Sequence, residues 1–407
     1  MNCRHCKTPL EHVFLDLGFA PPSNAYLATQ DIHKPEKYFP LKLFVCDKCW
    51  LVQTEDYNDA SELFSSDYAY FSSISSGWLN HAYEYSQMIT DRLALDSNSL
   101  VIEIAANDGY LLKNFVNTNI PCLGIEPTDS TADAAESLNI PVIREFFGAS
   151  LAKKLVKEKK QADLIAGNNV YAHVPDINDF TQGLKTALKP NGTITLEFPH
   201  LLCLIESSQF DTVYHEHYSY LSLFSVCRIF EAHGLRIYDV EQLPTHGGSL
   251  RIYGCHIDDK RDTNSSVDNI ISIENNNGLR DLSLYKNFQD KACNVKNDFV
   301  QFLIQAYNNK QSVVAYGAAA KGNTLINFGG IKTDLLPFIF DAAPSKQNKY
   351  SPGSHIPILA PDKLKDMKPD YVVILPWNIA SEVIEQNSFI REWGGKFVTA
   401  VPKLKII

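Results

Sequence analysis

No apolar run in this sequence approaches the roughly 20 residues that a bilayer span needs, and no basic-then-apolar leader opens it. The two absences predict a soluble, cytoplasmic chain with no membrane partner, whose thiols stay reduced and open to metal. Positive charge is scarce too. Against 47 Asp and Glu stand 37 Lys and Arg, a formal net charge of -10. That balance argues against a general grip on nucleic-acid phosphates, so no nucleic-acid partner is expected. A small anion in a local pocket is still compatible with it. No segment repeats at a fixed short period, and low complexity is confined to Asn275-Asn276-Asn277. GxGxxG is missing from both candidate ligand-binding turns, which disfavours a dinucleotide enzyme.

What is present suffices for two or three cores: 407 residues, 45% of them hydrophobic. Four of the nine cysteines fall into two pairs, Cys3-Arg4-His5-Cys6 and Cys46-Asp47-Lys48-Cys49. CxxC lets two thiolates from one tight turn reach a single metal, and two such pairs supply the four sulfurs of a tetrahedral zinc site. Disulfides or a redox pair are the competing readings. A closed four-thiolate site has no open position for chemistry, so the catalyst is expected elsewhere. Cys122, Cys203, Cys227, Cys255 and Cys293 are scattered singly and read as small buried hydrophobes.

The first 65 residues or so are rich in turns and aromatics, with short strands such as 41–45 that need metal to complete a core. An aromatic and serine segment at 67–76 reads as a loop before a helix over 79–95. From residue 100 the pattern alternates strand and helix, with strands at 100–104, 122–125, 163–166 and 193–197. That rhythm predicts a doubly wound parallel sheet. Segments 235–240 and 250–256 read as an antiparallel end to it. The polar stretch 258–277 reads as a domain boundary. Leu279, Leu282, Phe288, Ala292, Val295 and Phe299 then recur near helical spacing. Strands at 312–316, 338–340 and 371–375 predict a second α/β sheet.

Val101 to Tyr110 joins a strand to a helix through small residues, and Gly109 suits a tight turn. Glu103 lies at the end of that first strand. Glu126 closes the second, where an acid can take both hydroxyls of an adenosine ribose. Two acids around a small-residue loop suit S-adenosylmethionine, which is cationic at sulfur and has no pyrophosphate to cradle. The same pattern occurs in folds with no cofactor. Further on, Tyr214-His215-Glu216-His217-Tyr218 gathers two imidazoles, a carboxylate and two phenols. Histidine is the usual base near neutral pH, a carboxylate can fix its tautomer, and a phenol can donate to an enolate oxygen. A polar structural loop or a metal site are the alternatives, although HEH lacks the HExxH spacing. Gly317 to Asn323 follows a strand and opens a helix, and its amides with Lys321 would favour a pyrophosphate. His246, Gly247, Gly248, Ser249 and Arg251 could form a second polar wall. Asp341, Lys346 and Gln347 hold a similar crossover position.

Taken in order, these motifs form a pattern. After the CxxC pairs come Tyr68-x-Tyr70-x-Ser72-Ser73 and Glu103-Ile104-Ala105-x-Asn107-Asp108-Gly109. Then come Asn169-Val170-Tyr171-Ala172-His173, the pentapeptide 214–218, Thr245 to Arg251, and Tyr316 to Thr324. The series resembles the sugar C-methyltransferases that act on nucleotide-linked 4-keto-6-deoxysugars, and it covers nearly the whole chain. Ala106 and Ala319 stand where relatives often carry Ser and Pro.

The resemblance implies a small zinc-binding domain at 1–66, a Rossmann-like class I methyltransferase domain at 67–258 and a Rossmann-like C-terminal α/β domain at 259–407. It implies methyl transfer from S-adenosylmethionine to C3 of the sugar, in a monomer. His217 matches the family's base, with Glu216 and Tyr214 beside it and Tyr68 and His173 lining the same pocket. Glu103, Ala105, Asn107, Gly109, Glu126 and Asn168 are the expected cofactor residues. His246, Gly247, Ser249, Arg251, Lys321 and Asn323 are the expected substrate residues. Thymidine diphosphate is the first candidate nucleotide, with guanosine or cytidine diphosphate the others. An O- or N-methyltransferase, or a non-catalytic zinc and nucleotide-binding scaffold, are the competing functions.

The cysteine spacing has a direct test. Metal analysis of the purified protein should give one zinc per chain, and Cys46→Ser should lower that content and destabilise the N-terminal region. Full zinc content in the variant would remove Cys46 from the site.

Overall fold

The computed structural model describes residues 1–55 and 71–407, so Tyr68 lies outside the described residues. These residues form three sheets. Strands β1 (His12–Ala20), β2 (Phe39–Val45) and β3 (Val52–Thr54) pair antiparallel. Alternation turns Leu41, Leu43 and Val45 of β2 inward.

The helix expected over 79–95 runs Ser76–Leu93. Ser75 caps it by accepting the Trp78 amide, and Ala94 ends it in the left-handed region. Next come β4 (Val101–Ile104), β5 (Cys122–Ile125), β6 (Val142–Ile143), β7 (Ala162–Asn168) and β8 (Leu188–Pro199), all parallel. Every residue of β4 and β5 is buried, as expected where helices cover both faces.

The two-residue strand β9 (Ser219–Tyr220) then leaves this sheet and pairs with β3 in the N-terminal one. Strands β10 (Leu235–Leu243) and β11 (Ser249–His256) return as an antiparallel pair on the edge of β8. The resulting order is β10-β11-β8-β7-β4-β5-β6. Strand order reverses between β4 and β7, so the carboxyl ends of these two strands flank the ligand crevice of an open α/β sheet.

The third sheet contains β12 (Val313–Tyr316), β13 (Ile339–Phe340), β14 (Ile358–Leu359), β15 (Tyr371–Ile374), β16 (Lys396–Thr399) and β17 (Lys405–Ile406). Its order is β14-β13-β12-β15-β16-β17, parallel except for β17. The switch point here lies between β12 and β15, beside the turn at Gly317.

Packing joins the N-terminal sheet to both larger ones. Phe14, Leu15, Leu41 and Leu43 share a core with Phe288, Phe299, Val313 and Ala315. Cys3, Cys46, Cys49 and Leu51 join the core of Ile165, Ile194 and Leu196. The polar stretch 258–277, read from sequence as a boundary, holds the helix Ser265–Asn276. Its Val267 and Ile270 enter the core of the middle sheet. The narrow apolar face of that helix, diluted by Asn, Asp and Ser, conceals it from a composition reading.

Glu274 on that helix is buried and bonds His200 Nε2 at 2.7 Å. Its other oxygen accepts the Phe224 amide at the start of helix Leu223–Ala232, where a carboxylate also suits the helix dipole. Burial opposes a charge on His200, but Cys203 and Glu274 outweigh it and raise the imidazole pKa to about 9. A raised pKa places this stabilisation fully below about pH 6.5 and removes it as pH climbs through about 9. Glu274→Gln, which strands a buried cation, should therefore cost about 3–5 kcal/mol near pH 6.5. Urea titrations should show the difference from wild type shrinking above about pH 9. A pH-independent difference would mean that the pair carries no charge.

Candidate active site

The four cysteine sulfurs converge, each within 4.8 Å of the others. Cys3 and Cys49 sulfurs are 3.5 Å apart, as are those of Cys6 and Cys46. Zinc–sulfur bonds of about 2.3 Å in a tetrahedron put sulfurs roughly 3.8 Å apart, so the cluster fits zinc. The spacer residue Arg4 turns inward from this knuckle. Its guanidinium donates to the Pro175 carbonyl (2.6 Å) and the Thr54 carbonyl (3.0 Å) and lies over the Tyr218 ring. The zinc knuckle thus grips residues two places beyond His173 and one beyond His217.

In the middle sheet, the turn after β4 has positive φ at Ala105, Asn107 and Gly109. A Cβ on Gly109 would stand 2.5 Å from Ile140 Cδ1, so glycine is required there on two counts. Glu126, at the end of β5, accepts the amides of Asn107 and Thr128, both at 2.9 Å. The loop is thereby folded onto the carboxylate, whose remaining lone pairs can accept from a ligand. Glu103 is fully buried and neither oxygen has a hydrogen-bond partner among the described residues. Burial, with Asp108 and Glu126 nearby, pushes its carboxyl well above the usual range. Asp108 Oδ1 and Asn168 Oδ1 are also buried, with no hydrogen-bond partner among the described residues. Acidic and acceptor atoms without donors fit a cationic ligand carrying hydroxyl and ammonium donors, as S-adenosylmethionine does.

The histidine cluster lies where β9 crosses to the zinc-bound sheet. His217 Nδ1 is 2.9 Å from the Thr212 carbonyl, so Nδ1 carries the hydrogen and Nε2 the lone pair. Burial, then the neighbouring His173, pulls its pKa well below 6.5. The imidazole is therefore neutral at physiological pH. His173 stands edge-on to it at 4.6 Å between centroids, and Tyr214 lies at 4.0 Å. Burial takes His173 down to about 4. Glu216 is bound to Asn24 of the N-terminal unit by contacts of 2.7 and 2.9 Å. The tautomer of His217 is thus set by a backbone carbonyl, not by the adjacent carboxylate as the sequence suggested. His215 turns away to the Pro40 carbonyl.

The hairpin turn between β10 and β11 brings His246 to the same cleft. Asn169 Nδ2 donates to His246 Nε2 at 3.0 Å. Burial and the charge of Lys321 hold His246 near 4. Gly247 packs so closely on Trp377 that a Cβ would lie 2.5 Å from its ring. Lys321, at the head of helix Ala320–Phe328, donates to Asn378 at 2.6 Å and stands 4.8 Å over Trp377. Three further expected substrate residues have protein partners too. Arg251 is paired with Glu197 (2.6 Å) and Glu241 (2.9 Å) and stacked on Tyr85. Ser249 donates to the Thr245 carbonyl, and the buried Asn323 donates to Ser23. Each sits at a junction between elements, where a polar side chain must satisfy buried backbone or charge. Asp341 accepts the amides of Ala318 and Ala343, while Lys346 donates to the Ala318 carbonyl.

Sequence reasoning missed Arg4, Asn24, Asp211, Thr212 and Trp377. The motif at 3–6 contains Arg4 and the one at 214–218 lies two residues after Thr212, but nothing in the sequence joins Asp211 to Trp377.

Comparison with known proteins agrees with this architecture. Residues 3–64 match a zinc binding domain model, 78–240 a methyltransferase domain, and 244–402 a C-methyltransferase C-terminal domain. The C-methyltransferase NovU of Streptomyces niveus is 30% identical over 406 residues, covering 100% of this chain and 96% of that protein. Among solved structures, the YcgJ protein of Bacillus subtilis overlays at a TM-score of 0.36 and 13% identity, covering 44% of this chain and 100% of that one. An S-adenosylmethionine-dependent methyltransferase of Clostridium acetobutylicum overlays at 0.36 and 10% identity, covering 44% and 92%. With a full-length relative at that identity, the chain belongs to the family of S-adenosylmethionine-dependent C-methyltransferases whose motifs it carries in order.

Proposed function

We propose that this enzyme methylates C3 of a nucleotide-linked 4-keto-6-deoxysugar and that His217 removes the C3 proton. The observation that carries the reading is the bond from His217 Nδ1 to the Thr212 carbonyl, which leaves Nε2 as a neutral base in the cleft. A carbon beside a ketone is a weak acid. Methylating it needs a base together with a place for the charge that develops on oxygen. Methylation of oxygen or nitrogen does not need both, and the kinship with a C-methyltransferase supports the carbon reading.

S-adenosylmethionine supplies the electrophilic methyl group. Glu103, Ala105, Asn107, Gly109, Glu126 and Asn168 are assigned to hold it, with Glu126 on the ribose. His217 Nε2 accepts the C3 proton and becomes imidazolium, whose Nδ1–H bond to Thr212 strengthens with the charge. Tyr214 and His173 pack against the ring and limit its rotation. Tyr68 is assigned to the same pocket. Arg4, Asn24 and Glu216 hold the loop in register with the zinc-bound sheet. The nucleotide is assigned to the C-terminal side of the cleft, near His246, Gly247 and the Gly317 turn, with thymidine diphosphate the first candidate.

Two measurements test the assignments. Removing the Glu126 carboxylate deletes charge-assisted bonds of about 1.5–3 kcal/mol. Calorimetry with S-adenosylhomocysteine should therefore show Glu126→Ala weakened about 10–100-fold, and unchanged affinity would count against the ribose role. With S-adenosylhomocysteine bound, the wild type should exchange C3 hydrogen for deuterium in heavy water. His217→Asn should depress exchange and methylation together by about 10²–10⁴-fold. A variant that methylates near the wild-type rate would end the base assignment. Because burial depresses the His217 pKa, the base form persists below pH 6.5, and kcat/KM should fall only as pH drops through that lower value.

A further inference from the structure

Asp211 is a buried carboxylate that the deprotonation scheme leaves unused. It has no solvent exposure, and its Oδ1 accepts no hydrogen bond among the described residues. Its Oδ2 accepts from Trp377 Nε1 at 2.7 Å. The Trp377 ring, pinned at its far edge by Gly247, carries Lys321 Nζ 4.8 Å from its centroid. Lys321 gives one donor to Asn378 and, with three on an ammonium, keeps two for a ligand. It is half-buried, as a group lining a cleft would be.

Among the described residues the charges around it are few. Asp211 attracts it from the turn Phe210–Thr212. His217 and His246 lie close enough for its charge to depress both, and both are neutral, as is His173 behind His217. The residue after Asp211 is Thr212, whose carbonyl orients His217. One short turn therefore holds His217 through one residue and, through the residue before it, the Trp377 ring on which Lys321 stands.

We propose that Lys321 is a catalytic residue that binds the enolate oxygen, with Asp211 as its counter-charge and, through Trp377, its positioning residue. The sequence suggested a pyrophosphate role for Lys321, but its site within electrostatic reach of the base suits the oxygen beside the reacting carbon. When the C3–H bond breaks, the proton goes to His217 Nε2. The electron pair forms the C3–C4 double bond, and the carbonyl π pair moves onto the C4 oxygen. The ammonium of Lys321 balances that new negative charge without giving up a proton. The proposal rests on the keto-sugar reading and extends it.

The test compares wild type, Lys321→Met, Lys321→Arg and Asp211→Asn as full-length zinc-loaded enzymes, with S-adenosylhomocysteine affinity as the check on folding. Lys321→Met should lower both C3 exchange and the kcat for methylation by about 10²–10³-fold, the usual loss for one oxyanion donor. KM should stay within about threefold, because the donor acts on charge that develops only in the transition state. Lys321→Arg, which keeps the charge, should recover part of the rate. In Asp211→Asn the side chain can still accept from Trp377 while its charge is gone. The high-pH limb of kcat should then move to lower pH, since an anion that favours the ammonium has been removed. An intact kcat with KM raised tenfold or more in Lys321→Met would make Lys321 a phosphate ligand and overturn the proposal. An unchanged pH profile in Asp211→Asn would overturn the role of Asp211. A wild type that neither exchanges nor methylates any keto-sugar would overturn the reading beneath both, a result distinct from failure of the variants alone.

Discussion

The hydrogen bond from His217 to the carbonyl of Thr212 constrains the site more than any other contact. It fixes which ring nitrogen holds the proton, and burial fixes the ring as neutral. A neutral imidazole held in one tautomer cannot be made by a solvent-exposed loop, because water would restore an ordinary pKa and free rotation of the ring. The cleft must be closed by surrounding chain without introducing a carboxylate against His217. The surroundings meet this requirement: His173, Tyr214 and Tyr220 line the ring, while Glu216 is turned aside to Asn24.

Closing the cleft requires residues from distant parts of the chain, and the zinc-bound unit brings them together. Its sheet takes β9 as a fourth strand, so the two residues after Tyr218 are held by β3 and not by the methyltransferase sheet. Thr54 bonds Tyr218 through its amide, and Arg4 bonds Thr54 in turn. On the other side, Ser23 and Asn24 reach helix Ala320–Phe328 and Glu216. A metal that closes a small unit with little core of its own thereby stiffens a site it does not touch. The zinc-bound unit and the histidine loop are linked through hydrogen bonds, each modest and jointly restrictive.

The two larger sheets use one device twice. In the middle unit Glu126 ends the second strand and accepts the amide of Asn107 from the first strand's turn. In the C-terminal unit Asp341 follows the second strand and accepts the amide of Ala318 from the corresponding turn. A carboxylate at that place tightens a backbone loop and leaves acceptor capacity at the strand ends. Electrostatics then differ between the units. The first turn is surrounded by Glu103, Asp108 and Glu126 and suits a cation. At the second, Lys346 meets the Ala318 carbonyl and Lys321 faces the cleft, which suits an anion.

The sequence alone determined what depends on local pattern. CxxC pairs fix two thiolates each, apolar runs bounded by turns fix β4, β5, β12 and β15, and the small-residue turn at Ala105 to Gly109 fixes a place for close backbone approach. It also singles out the pentapeptide 214–218, since five polar and aromatic residues in a row are costly to bury. The hydrophobic periodicity of helix Ser265–Asn276 was too dilute to read, and only its packing on the middle sheet reveals it. Tertiary structure alone decided the contacts within the site. Arg251 lies in one motif with other expected substrate residues, and Glu197 and Glu241 pair with its charge. The tautomer of His217 depends on a carbonyl that has no side-chain signature. Asp211 and Trp377 meet across 166 positions of chain, and neither has a local pattern that anticipates the other. Spacing carries information over a few residues, where geometry is set by the backbone; contacts between units are set by packing, which no short window of sequence contains.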